Sequence, residues 1–110
     1  MKITDNGIFT TDWVDVESKS VDGEHGTSQS KTLEYSEIRI RIIEYSPGYK
    51  ADHWCPKGHI IFVLEGELII KLKDETEYRI SKGMSFICGD SEINSHAAYS
   101  KNGASVLIID

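Results

Sequence analysis

Cysteine is scarce in this chain of 110 residues, basic residues nowhere cluster, and the longest uninterrupted apolar run is Ile60 to Leu64. A run that short cannot span a bilayer, and Met1 to Gly7 contains no apolar segment of the kind that directs export. A soluble, cytoplasmic protein with no membrane partner is expected. In a reducing compartment the two cysteines, Cys55 and Cys88, point to free thiols or a metal ligand rather than a structural disulfide. The formal net charge of -6 is spread along the chain with no basic patch to meet a phosphate backbone, which argues against nucleic acid as a partner. No helical period is sustained, and neither repeats nor low-complexity segments occur. A Ser-His-Asp arrangement, a carboxylate pair and a positioned general base are also missing from the pattern.

What remains between Thr27 and Ile109 is a succession of short apolar blocks separated by Gly, Pro, Asp and Ser, the signature of an all-β domain. Ile38 to Ile42 alternates strictly with Arg39 and Arg41, and Thr32 to Tyr35 before it predicts a hairpin through Ser36-Glu37. Ile60 to Leu64 suits a strand covered on both faces, with Glu65-Gly66-Glu67 expected to turn it into a second strand, Leu68 to Leu72. Further strands are expected at Tyr78 to Ile80, Met84 to Cys88, His96 to Tyr99 and Ala104 to Ile109. Many short strands at this spacing suit a barrel or a sandwich. Asp12 to Val16 reads as a short strand or one helical turn, and Gly23 to Gly26 as a loop. The expected organisation is one domain over 1-110, with an N-terminal arm over 1-26 and a core over 38-109.

Chemistry concentrates in His53-x-Cys55-x-x-x-His59, which gathers two imidazoles and a thiol around a turn, as a metal site does. On an extended chain His53 and Cys55 share a face, and Pro56-Lys57-Gly58 bends the chain so that His59 returns toward them. His59 in turn shares its face with Ile61 and Val63, an apolar wall leading away from the ligands, as at a barrel mouth. His96 shares a face with Ala98, whose small side chain leaves space beside it.

Pro47-Gly48, His53-x-Cys55-x-x-x-His59, Gly66, Gly83 and His96 together resemble the two motifs of the cupin superfamily. In that resemblance His53 matches the first-motif His, Cys55 falls where the second His belongs, His59 where the Glu belongs, and His96 looks like the second-motif His. Gly48 stands one residue closer to His53 than in the pattern, Gly89 and Ser91 replace a Pro and a Gly, and His96 comes two residues late. Asp52-His53-Trp54-Cys55 is also similar to the signature of the short DHCW-motif cupins, with Trp and Cys in the opposite order. The resemblance implies a double-stranded β-barrel (jelly roll) with a metal inside, ligated by His53, Cys55, His59 and His96, and suggests a homodimer. A thiolate in place of the carboxylate keeps the site's charge but softens it, favouring Zn, Fe, Ni or Cu over Mg or Ca.

The expected function is binding of one divalent transition metal, in a metal-dependent enzyme acting on a small molecule, dioxygenase-like or isomerase-like. The other readings are a non-catalytic protein that holds or senses a metal or small ligand, and a barrel without metal. Arg39 and Arg41 could bind a carboxylate inside the barrel, but alternation with isoleucines favours the solvent or dimer face for them. Cys88 is expected in the core, His25 in solvent, and Asp90 or Glu92 as carboxylate ligands only if Cys55 is not one.

Overall fold

The computed structural model describes residues 3-110; Met1 and Lys2, which belong to the N-terminal arm, lie outside the described residues. Nine strands follow one another: β1 (Ser18–Asp22), β2 (Thr27–Tyr35), β3 (Ile38–Tyr45), β4 (Tyr49–Lys50), β5 (His59–Leu72), β6 (Glu77–Ser81), β7 (Ser85–Cys88), β8 (His96–Ser100) and β9 (Ala104–Ile109). Every pairing between them is antiparallel, in the order β1-β2-β3-β9-β5-β8-β4, with β6 and β7 also on β5. The result is a double-stranded β-barrel. Among the described residues the only helical pieces are 3-10 turns at Trp13–Asp15 and Glu92–Asn94, so Asp12 to Val16 is a turn and not a strand. No helix among the described residues is long and apolar enough to cross a membrane.

The β2–β3 hairpin forms where alternation placed it, Tyr35 facing Ile38 across Ser36-Glu37. The expected turn at Glu65-Gly66-Glu67 does not form. β5 runs straight through as one strand, bulged between Val63 and Glu65, pairing first with β7 and β9 and then with β6 and β8. It therefore belongs to both layers and bends at their corner. Gly66 permits the bend: its φ is +78°, and a Cβ there would stand 2.3 Å from the Gly103 carbonyl oxygen. Gly66→Ala is expected to lose at least ~1-3 kcal/mol from the left-handed backbone alone, read as a lower urea midpoint at unchanged slope. An unchanged midpoint would show that the corner does not depend on this residue.

Period two then fixes the core. Ile61, Val63, Leu68 and Ile70 on β5 point inward against Ala104, Val106 and Ile108 on β9, with Ile43 and Ile80 completing the cluster. Val63, Leu68, Ile70 and Val106 are fully buried, each stabilising the fold by about 1.5-3 kcal/mol. These residues form the floor beneath the candidate site.

Candidate metal centre

His59 opens β5 on the inward face it shares with Ile61 and Val63 and is buried. Its position depends on the turn before it, where the Gly58 amide donates to the Asp90 carboxylate at 2.6 Å. A Cβ on Gly58 would meet the Cys88 carbonyl oxygen at 2.7 Å, so only glycine lets the turn lie this close to β7. Cys55 is fixed by a backbone bridge to His96: the Cys55 amide donates to the His96 carbonyl at 2.8 Å, and the reverse bond measures 3.0 Å. The bridge brings the thiol beside the first residue of β8.

Cys55, His59 and His96 form the cluster, with one donor atom from each within 4.8 Å of the others. Cys55 Sγ lies 3.6 Å from His59 Nε2. Metal bonds of about 2.3 Å to sulfur and 2.0-2.1 Å to nitrogen at a tetrahedral angle place those two atoms roughly 3.5-3.6 Å apart. Both imidazoles are held from behind. His59 Nδ1 lies 3.1 Å from Asp110 Oδ2, and His96 Nδ1 lies 2.8 Å from the Asn94 carbonyl oxygen. Those oxygens only accept, so each Nδ1 carries the proton and each Nε2 keeps its lone pair for a metal. Burial lowers the His59 pKa below its ordinary value, against the opposing pull of Asp110, and keeps the ring in the neutral, ligating form.

His53 does not join the cluster. Its ring is exposed, with Nδ1 bound to Asp52 Oδ1 at 2.7 Å, although it lines the same cavity as the other three. The shared face expected of His53 and Cys55 needs an extended ladder, and Asp52 to Trp54 has none; the neighbouring carboxylate captures the ring instead. Asp90 serves the turn, and Glu92 accepts from Ser95 Oγ at 3.4 Å, so neither carboxylate is in the cluster. His25 is exposed. Cys88 is half-buried opposite His59 at the end of β7 and not in the core, because β7 stops at the rim.

The placement of Arg39 and Arg41 is corrected: both line the cavity beside the cluster, on the face of β3 that also carries Ile43 and Tyr45. What draws two guanidiniums inward is Asp110, which the sequence reading missed. Its side chain is 1% exposed. Arg39 donates to it through Nε and Nη2, both at 2.9 Å, and Arg41 through Nη2 at 3.1 Å. The signal was the period of β9 carried one step further: Ala104, Val106 and Ile108 face inward, and Asp110 follows them. Burial alone would raise the Asp110 pKa; the hydrogen bonds from Arg39 and His59 and the charge of Arg41 outweigh it and hold the carboxyl well below the usual range. Arg41 Nε is buried with no partner, a state that costs on the order of 1-3 kcal/mol.

The cluster opens on a cavity of about 340 Å³, walled by Ile43, Leu68, Ile70, Ala98 and Ile108 with Tyr45 and Tyr49. That volume suits a small molecule. Burial raises the pKa of both tyrosines above the ordinary value, so they stay protonated and serve as donors, not bases.

No family model and no curated relative matches the chain, so its likeness to the DHCW-motif cupins rests on Asp52 to Cys55 alone. Solved structures do match. A predicted oxalate decarboxylase from Thermotoga maritima is similar at a TM-score of 0.77 and 13% identity, covering 92% of this chain and 96% of that one. An RmlC-like cupin from Shewanella frigidimarina is similar at 0.74 and 16%, covering 94% and 89%. A sugar phosphate isomerase of the cupin superfamily from Silicibacter pomeroyi is similar at 0.70 and 17%, covering 91% and 73%. At these identities the likeness establishes the fold.

Proposed function

We propose that this chain, a small protein of the cupin fold, holds one divalent transition metal between Cys55 Sγ, His59 Nε2 and His96 Nε2 and acts as a metal-dependent enzyme on a small molecule in the adjoining cavity. The observation that carries the proposal is the set of three donors, each imidazole locked with Nδ1 protonated, beside a cavity large enough for a substrate. Three protein ligands leave a metal with open positions, the arrangement of catalytic rather than structural sites. One thiolate with two neutral imidazoles is a soft set that suits Zn, Fe, Ni or Cu. When bound, the metal would supply a Lewis acid or an oxygen-binding centre. His53, oriented by Asp52 at the cavity wall, is the group placed to accept a proton there. The similar structures bear names for unlike reactions, so the fold does not select among oxidation, isomerisation and others.

A non-catalytic binding protein is the second reading. Asp110 has its oxygens engaged by four donors, and Tyr45 and Tyr49 remain protonated, so proton transfer rests on exposed His53 alone. Cobalt substitution separates the two. With Co²⁺ bound, the protein is expected to show a thiolate-to-metal absorption band that Cys55→Ala lacks, and added imidazole should shift the visible bands by entering an open position. A spectrum that ignores imidazole would mean a closed site and would overturn the enzyme reading.

A further inference from the structure

We infer that the cavity takes a small organic monocarboxylate whose head group is received by Arg41. The inference deepens the metal-site reading by naming a ligand class, and it rests on that reading only in placing the metal centre beside the bound molecule.

Two guanidiniums and one carboxylate share this wall. Arg39 spends Nε and Nη2 on Asp110 in a two-pronged pair. Arg41 gives Asp110 only Nη2, and its Nε is buried without an acceptor. Asp110 does not supply one: Oδ2 receives Arg39, Arg41 and His59, and Oδ1 receives Arg39 and makes no bond to Arg41 Nε. The wall is left with an unsatisfied donor and an excess positive charge. The excess charge calls for an anionic oxygen from the cavity, and it is received at the Nη side of Arg41, because Nε itself has no surface open to the cavity.

The rest of the cavity says what the oxygen is attached to. Apart from the proposed ligands, the charged or ionisable side chains lining it are Arg39, Arg41, His53, Tyr45 and Tyr49, and the remaining wall is mostly apolar, with Ile43, Leu68, Ile70 and Ile108. A phosphate could be met by the guanidiniums and the hydroxyls of Tyr45 and Tyr49, but it has no hydrocarbon to cover Ile43, Leu68, Ile70 and Ile108. A carboxylate has a flat two-oxygen head that fits a guanidinium edge, and its hydrocarbon tail suits the apolar wall. The protein's overall charge of -6 repels anions at a distance, so selection falls to this local donor and not to long-range attraction.

The test follows the Arg41 side-chain Nε–H resonance by NMR during titration, in metal-free and Zn²⁺-loaded protein, with butyrate, its neutral analogue butyramide, and inorganic phosphate. Butyrate is expected to shift the resonance in both forms and to bind about ten- to a hundredfold more tightly than butyramide, the span of one or two charge-assisted hydrogen bonds. Phosphate should bind more weakly than butyrate, and Arg41→Gln and Arg41→Lys should each lose at least about tenfold of the butyrate affinity. Equal binding of butyrate and butyramide overturns the inference, and that comparison uses only the natural chain, so it stands even if a variant does not fold. Butyrate binding that appears only with Zn²⁺ and survives Arg41→Gln also overturns it, while supporting the metal site. Binding to Arg41 in a protein that takes up no Zn²⁺ supports the carboxylate site and removes the metal reading.

Discussion

Protein purified without added metal is expected to carry about one transition-metal ion per chain, and Cys55→Ala, His59→Ala and His96→Ala are each expected to strip it. The loss should exceed the ~10-100-fold in affinity that removing an outer hydrogen-bond partner typically causes, because a direct bond to the ion disappears. His53→Ala is the internal contrast. Its ring lies outside the cluster, bound to Asp52, so this variant should keep both stoichiometry and affinity. Elemental analysis gives the first and competition with a chromophoric chelator the second. Full occupancy in Cys55→Ala and His59→Ala would sink the ligand assignment, and loss of metal in His53→Ala alone would move the site to the cavity mouth.

Asp110→Asn should be the most damaging single change away from the ligands. An amide accepts at one oxygen and carries no charge, so Arg39, Arg41 and His59 cannot all keep their partner. Breaking a fully buried ion pair costs roughly 3-5 kcal/mol; Arg39 is 35% exposed and solvent screens part of its charge, so about 2-4 kcal/mol is expected here. Metal affinity should fall by about 10-100-fold as well, since the His59 ring loses the carboxylate that orients it. The pH dependence has a definite sign. A carboxyl whose pKa is lower in the folded than in the unfolded chain adds its full stability above about pH 4 and loses it as the pH falls toward the folded value. Wild type should therefore weaken progressively below about pH 4 by an increment that Asp110→Asn lacks. Urea titrations at pH 7 and pH 3 measure it, and a variant within about 0.5 kcal/mol of wild type at pH 7 would refute the role given to this carboxylate.

Those two residues, His53 and Asp110, mark where the sequence could and could not be read. Local period was a good guide wherever a ladder enforces it: the β2–β3 hairpin, β9, and the inward row His59, Ile61, Val63 all follow from alternation. It misled at His53, where no ladder exists. On β3 alternation separated isoleucines from arginines correctly but could not say which row faces inward. That was decided by Asp110, distant in sequence, whose carboxylate makes the arginine row tolerable beside a cavity. Gly66 was ambiguous for the same reason. A Glu-Gly-Glu segment serves a turn or a bulge equally well, and the nearby Gly103 carbonyl belongs to a part of the chain that local pattern does not reach.

β9 has a consequence for the order in which the molecule comes together. It sits between β3 and β5, pairing Ile109 with both Ile40 and Ile60. Contacts across such long loops form slowly, and proteins dominated by them reach the native state in roughly milliseconds to seconds. Until β9 docks, Asp110 cannot close on Arg39, Arg41 and His59. A centre that needs Asp110 to hold His59 is then complete no earlier than the docking of β9. Stopped-flow refolding with Zn²⁺ present would test this, with metal uptake expected no earlier than barrel closure.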